Sequence, residues 1–271
     1  MFTPTRPTHL ATLYVPPAWV NVTYNDDSTA ACEALGTDAA GRQQRLYSAE
    51  HHALAKSAKF GRVRNLLTEE ADIRTQLESD INDATVTGTT REAALVAYLV
   101  FETGIRPGSN SDTLAAVQAY GATTLQLRHV KPCPRGCRLQ FTGKKGVAQN
   151  VLVTNPYLVS ELLRRKAATT KYTTTLFRVS STTLNVYIGG LGSGNYSAKD
   201  FRTLRGTSLA LSILGPRKRL PKAISKRKRL VNATLDKVAA KLGNTRAVSR
   251  GSYVDPVIIE TILNGRTLPS I

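Results

Sequence analysis

Between Ala93 and Phe101 the chain reads Ala-Ala-Leu-Val-Ala-Tyr-Leu-Val-Phe, apolar on nearly every side of a helix. A helix with no polar face belongs at the centre of a packed helical domain. Thr89 and Glu92 precede it at capping-box spacing, and Gly104-Ile105-Arg106-Pro107-Gly108-Ser109 breaks it sharply. The surrounding pattern is helical from Ser48 on. Phe60, Val63 and Leu66 recur at helical spacing, and Thr68 before Glu69-Glu70 reads as a helix start. Asn155-Pro156 opens a helix to Lys166, Leu176–Ile188 reads as a short one, and Phe201–Leu214 carries an apolar face. A basic stretch then leads into a helix ending near Leu242, and Val257–Leu263 is closed by Asn264-Gly265. One β excursion interrupts the series: Thr123–Leu127 and Arg138–Phe141 are expected to pair around Lys131–Cys137, and Gly143-Lys144-Lys145-Gly146 turns into Val147–Val153.

The first 47 residues have a different grain. Leu10–Val15, Val20–Tyr24, Thr29–Leu35 and Arg42–Tyr47 read as strands separated by Asn25–Ser28 and by Gly36–Gly41. The expected fold is therefore α+β. A small antiparallel β-domain, residues 1–47, precedes a larger, mainly helical domain, residues 48–271, with a β-hairpin excursion.

Charge separates the two parts as well. The chain carries +18 overall, yet residues 1–47 hold a net −1, leaving +19 for the remainder. That excess points to a polyanion, nucleic acid before a membrane surface. No apolar run is long enough to span a membrane, and the start lacks a signal-peptide pattern. Cys32, Cys133 and Cys137 make no disulfide framework. Cys133-x3-Cys137 has no second pair, and His9, His51, His52 and His129 do not complete a zinc site, so no metal is expected. A reducing, intracellular setting follows.

Chemistry gathers at four separated places. Arg106 stands on the rigid turn after the apolar helix, suited to a bidentate grip on a phosphate. Lys144 sits at a Gly-Lys-Lys-Gly tip beside Lys145. Lys199 and Arg202 lie three apart at a helix start, on one face. Tyr253 follows Asn244 by nine residues, with Arg246 and Arg250 just before it. A phenol with an ordinary pKa of about 10 is a poor nucleophile near neutrality, and cations beside it stabilise the charge that develops on attack. Two arginines, a loop lysine and a late tyrosine form a set for transesterification at a DNA phosphodiester.

In the order and spacing of these motifs the chain resembles the short type IB DNA topoisomerases of poxviruses, giant viruses and bacteria. The resemblance runs from about residue 10 to 260. Its matching segments include Pro16-Pro17-Ala18-Trp19, Lys59-Phe60, Gly104–Ser109, Tyr120–Leu125, Phe141-Thr142-Gly143-Lys144, Leu176–Ser180, Lys199-Asp200-Phe201-Arg202-Thr203 and Leu242-Gly243-Asn244-Thr245. It implies that Tyr253 attacks the scissile phosphate to form a 3′-phosphotyrosyl link. Arg106 and Arg202 would bind the non-bridging oxygens, Lys144 would protonate the departing 5′ oxygen, and Lys199 would support the phosphate or that proton transfer. Strand rotation and religation would follow, with no ATP, metal or other cofactor. It further implies a monomer closing as a C-shaped clamp on double-stranded DNA, in the bacterial cytoplasm or nucleoid, or in a virion and its host cell.

Asn244 stands where poxvirus and nuclear members have histidine, and an amide still donates to a phosphate oxygen. Gly251 replaces a lysine often found two residues before the tyrosine, and Lys145 rivals Lys144 as general acid. DNA contacts are expected from Arg42, Arg45 and Tyr47 in the β-domain, from Arg246 and Arg250, and from the run Arg217, Lys218, Arg219, Lys222, Lys226, Arg227, Lys228 and Arg229. Trp19 reads as core rather than as a stacking platform. A tyrosine recombinase shares this chemistry but normally shows His-x-x-Arg where this chain has Lys199-x-x-Arg202. A non-catalytic basic DNA-binding protein would need the whole set to be accidental.

Overall fold

The computed structural model describes residues 1–108, 117–215 and 217–268; Ser109 and Pro216 lie outside them. The chain divides into two compact units, with the division in the chain between Gly61 and Arg62.

The first unit is a four-stranded antiparallel meander of β1 (Phe2–Thr3), β2 (Val20–Asn25), β3 (Cys32–Thr37) and β4 (Gln43–Tyr47), in that order. Asp38 sets the β3–β4 turn by accepting from the backbone N–H groups of Ala40 and Arg42 and binding the Arg42 guanidinium. These bonds hold its carboxyl down at about 2, the Arg42 side chain being the largest cause. Leu10–Val15 is not a strand. The sheet edge beside β2 is taken by β1, so this segment forms a 3-10 turn at Thr8–Leu10 and packs Leu10, Leu13 and Val15 onto Tyr24 and Ala34. Trp19 packs flat on Gly36, where a Cβ would lie 2.6 Å from the indole.

Helix α1 (Ala49–Thr68) starts at Ser48, whose Oγ accepts from His51 N at 3.1 Å. It is continuous, and Phe60, Val63 and Leu66 are buried as their spacing predicts. Thr68 ends this helix rather than starting the next: its hydroxyl donates to Asn65 O at 2.7 Å. Helix α2 (Glu70–Asn82) buries Ile73, Leu77 and Ile81. Helix α3 (Gly88–Thr103) is the centre of the second unit, buried without interruption from Ala93 to Phe101. The capping box at its start does not form. The helix begins one residue before Thr89, and Glu92 binds the Arg165 guanidinium and the Arg178 N–H instead.

The β excursion lies one segment later than the pattern suggests. Residues 122–124 and 127–129 are 3-10 turns, and the three-stranded antiparallel sheet is β5 (Val130–Cys133), β6 (Gly136–Thr142) and β7 (Ala148–Val153). The Ala122 and Thr123 N–H groups donate to the carbonyls of Arg106 and Pro107 at 2.8 and 2.7 Å, so they are unavailable to a strand partner. Cys133 and Cys137 are free thiols flanking the β5–β6 turn; burial pushes the Cys137 thiol up to about 11.

Helix α4 (Pro156–Ala167) is capped by Asn155, and α5 (Ser181–Gly189) by Ser180, several residues later than the apolar pattern places it. Helix α6 (Ala198–Leu214) opens with a Ser197/Asp200 capping box. Helices α7 (Ile224–Leu242), α8 (Arg246–Ser252) and α9 (Pro256–Leu263) complete the unit, α9 being capped by Asp255 with proline in its first turn. The α3 core takes in α2, the inner face of the sheet, α4, α5 and the start of α6. A second core gathers the end of α6 with α7, α9 and Tyr253.

Candidate active site

Three helix ends and one hairpin converge. Helix α3 stops at Gly104 (φ 69°), which hands the chain to Arg106. Helix α7 stops at Gly243 (φ 61°), which hands it to Asn244. The left-handed backbone favours glycine there, and the Gln149 amide packs against the open Cα, 2.3 Å from where a Cβ would stand. Helix α6 carries Arg202 on its second turn. Between β6 and β7, Lys144 and Lys145 are exposed in a single 3-10 turn, with Lys145 left-handed at φ 62°. Arg106, Lys144, Lys145, Arg202 and Asn244 all line one cleft of about 550 Å³. No carboxylate is among its described lining residues.

Arg202 is the centre of the arrangement. It is 3% exposed and donates to the carbonyls of Gly104 and Leu242, tying the end of α3 to the end of α7. Its guanidinium carbon lies 4.8 Å from the centre of the Tyr253 ring. No carboxylate pairs with it among the described residues. Arg165 and Arg205, each with a side chain 16% exposed, are compensated by Glu92 and Glu161 and by Glu70 and Glu102. Burial lowers the Arg202 pKa and Arg106 lowers it further, while Tyr253 pulls it back up. A buried cation without an acid is costly unless an anion arrives. Two further donors await one: Arg202 Nε and Asn244 Nδ2 are both buried without a hydrogen-bond partner among the described residues. Asn244 accepts from Arg106 Nη2 at 3.4 Å through its Oδ1, which leaves the amide N–H groups as its free function.

Tyr253 is 4% exposed and is not among the described lining residues; it lies beneath Arg202, one guanidinium away from the cleft. Its backbone is pressed on α6. Thr207 Oγ1 donates to Tyr253 O at 3.3 Å, and a Cβ on Gly206 would lie 2.3 Å from that oxygen. Two residues on, Asp255 is gripped by both ends of the Arg64 guanidinium at 2.8 and 3.1 Å. Asp-Pro marks a helix start in any sequence, but nothing local announces a partner 191 residues away.

The remaining expected residues are dispersed. Lys199 is exposed on the first turn of α6 and is not among the residues lining the cleft. The cation against the tyrosine is Arg202, not Arg246, which pairs with Asp236 at 2.6 Å; Arg250 is exposed. Arg217, Lys218, Arg219, Lys226, Lys228 and Arg229 are exposed, whereas Arg227 donates to the carbonyls of Leu263, Pro221 and Lys222. Arg227 precedes Val231 and Leu235 on the inward stripe of α7, a helical-period signal that the charge run conceals. In the first unit, Arg45 and Tyr47 share one face of β4, and Tyr47 stacks on His51 with centroids 4.5 Å apart. Gln149, wedged between the lysine turn and Gly243, is a cleft residue that the sequence does not single out.

Among the described residues, a tyrosine beneath an arginine without an acid partner, beside unpaired donors and a cleft lined by no carboxylate, makes a place for a phosphate. The chain belongs to the family of the eukaryotic DNA topoisomerase I catalytic core, whose model matches residues 48–261, and is therefore a type IB topoisomerase. It is also 28% identical over 265 residues to DNA topoisomerase 1B of Acanthamoeba polyphaga mimivirus, an alignment covering 93% of this chain and 78% of that protein. Among the described residues no helix is long and apolar enough to cross a membrane.

Proposed function

We propose that this type IB topoisomerase relaxes positive and negative supercoils through a 3′-phosphotyrosyl intermediate formed on Tyr253. The supporting observation is Arg202: a buried guanidinium with no acid partner among the described residues, in contact with the tyrosine ring on one side and the cleft on the other. A phosphate in the cleft meets Arg106, the unpaired Arg202 Nε and Asn244 Nδ2. These donors neutralise the two non-bridging oxygens and the extra charge of the pentacoordinate transition state. With its hydroxyl brought out from beneath Arg202 into the cleft, Tyr253 gives its phenolic proton to water, the Oη–P bond forms as the P–O5′ bond breaks, and Lys144 Nζ gives its proton to the departing 5′ oxygen. Lys199, at the α6 start, supports this chemistry from outside the described lining of the cleft. The phosphodiester energy stays in the covalent link, so religation needs no nucleotide, and the guanidinium charges do the work that a metal does elsewhere.

The protein acts as a monomer, with both units gripping the duplex. Residues 1–47 contribute Arg42, Arg45 and Tyr47, and residues 48–271 contribute Lys145, Arg250 and the exposed cations around the start of α7. Arg42, Arg227 and Arg246, already engaged within the protein, are secondary. Plasmid relaxation in EDTA without ATP tests the reading: both signs of supercoil are expected to relax, and inertness toward both at low and moderate salt would overturn it.

The general acid can be tested by its chemistry. Lys144→Ala is expected to slow single-turnover cleavage by about 10²–10⁴-fold. A duplex with sulfur at the bridging 5′ position should restore it, because a thiolate leaves without a proton. Lys145→Ala should show neither the full loss nor the rescue. Equal behaviour of the two variants on the sulfur substrate would reassign the role.

A further inference from the structure

Beside the cleft the second unit carries a broader open groove of about 670 Å³. Part of its lining is the outer face of the β5–β6–β7 sheet. Strand alternation buries Cys137, Leu139, Val151 and Val153 on the inner face and leaves Gln140 and Asn150 on the outer one, directly opposite each other across β6 and β7. Asn150 Oδ1 accepts from Arg138 Nη1 at 3.3 Å, which fixes that amide. At the groove's edge the Tyr120 hydroxyl accepts from Arg128 Nη2 at 2.8 Å, and its ring meets the buried His129 edge-on, with centroids 4.5 Å apart. Burial first, then Arg128 and Lys131, lower the His129 pKa to about 4, so near neutrality it is an uncharged aromatic wall. Arg128 and Lys131 are the cations of the groove, and no carboxylate is among its described lining residues. Tyr120, Phe141 and Gln149 line both groove and cleft, so a duplex whose scissile phosphate enters one continues into the other.

The lining of this sheet face holds no acid among the described residues, although the chain carries 19 Asp and Glu. The face offers a registered pair of amides flanked by cations. Asparagine and glutamine amides can pair bidentately with an adenine edge, while cations at the rim of a groove reach the phosphate backbone as well as guanine. Resting on the topoisomerase reading of the cleft, we propose that this groove is the sequence-reading subsite of the enzyme. Gln140 and Asn150 contact base edges beside the scissile phosphate, Arg128 and Lys131 hold the flanking phosphates, and together they set where the enzyme cleaves.

The test is the double variant Gln140→Ala/Asn150→Ala, compared with the native protein on one mixture of duplexes of varied flanking sequence. Covalent adducts are trapped and their cleavage sites counted. The ratio of cleavage at preferred over non-preferred sites is expected to fall about tenfold. A native-like distribution from the double variant overturns the proposal. Arg128→Ala is expected to lower affinity uniformly across sites and to reduce the slope of log affinity against log salt by about one. An unchanged slope overturns the assignment of a phosphate to Arg128. The two readings fail differently: a native protein that forms no adduct with any duplex overturns the cleft and this subsite together, whereas abundant adduct with an unaltered site distribution overturns the subsite alone.

Discussion

Tyr253→Phe is expected to remove plasmid relaxation and the covalent protein–DNA adduct while leaving duplex affinity within about twofold. The substitution deletes one oxygen, and with it the only atom that bonds to phosphorus in the proposed reaction. Loss of a nucleophile costs on the order of 10⁴-fold or more in rate. The ring remains, so Arg202 keeps its aromatic contact and its bonds to Gly104 and Leu242. Thr207 still donates to the residue 253 carbonyl. A melting temperature close to the native value is therefore expected, and it separates lost chemistry from lost structure. Other tyrosines packed in the core of the second unit are poor substitutes. Hydroxyls of Tyr98, Tyr187 and Tyr196 bond to Glu78, Asp80 and Glu69. Burial first, then these carboxylates, raise all three pKa values, that of Tyr98 to about 12. Residual adduct formation by Tyr253→Phe would show that another residue is the nucleophile.

Local sequence patterns carry local facts faithfully here. The apolar run Ala93–Phe101 forces a central helix whatever surrounds it, and the structure buries every residue of it. Asn155-Pro156 and Asn264-Gly265 mark a start and a stop for the same reason: each acts within one helical turn. Patterns fail where a distant partner outbids a near one. Glu92 has the spacing of a capping box, yet two bonds to Arg165 hold it harder than the helix start would. Residues 123–125 have strand composition, but the Arg106–Pro107 carbonyls reach the Ala122 and Thr123 N–H groups first.

The site was legible to a similar degree. Arg106, Lys144, Arg202 and Asn244 are each marked by a turn or helix end, and the structure brings all four to one cleft. What decides how Arg202 works is not in its neighbourhood of sequence. Its carbonyl partners lie 98 and 40 residues away, and the lack of an acid partner among the described residues is a property of packing, not of local sequence. Lys199 shows the limit of spacing arguments. It stands three residues from Arg202 on the same helix, but Arg202 is buried and Lys199 is solvent-exposed.

Arg202→Lys is expected to slow cleavage by about 10³-fold at saturating DNA, although the charge is conserved. Arginine at this position does two things at once. Two of its nitrogens bind carbonyls at the ends of α3 and α7, and Nε remains unpaired within the site. An ammonium presents one compact point of charge on a shorter, flexible stem. If it stays with the carbonyls of Gly104 and Leu242, it gives no directed donor to a phosphate oxygen. If it turns to the phosphate, it leaves those buried carbonyls short of a donor, at about 1–3 kcal/mol in stability. Either way the planar platform over the Tyr253 ring is lost. Single-turnover cleavage and thermal melting, read together, distinguish the two. Slow cleavage with native melting means the lysine has stayed with the backbone, and a lowered melting temperature means it has left those carbonyls without their donor. Both place the loss in the transition state rather than in ground-state binding, so the dissociation constant for duplex should change far less than the rate. Cleavage by Arg202→Lys within about tenfold of native would mean that charge alone suffices there, and the role given to directed guanidinium donors would have to be withdrawn.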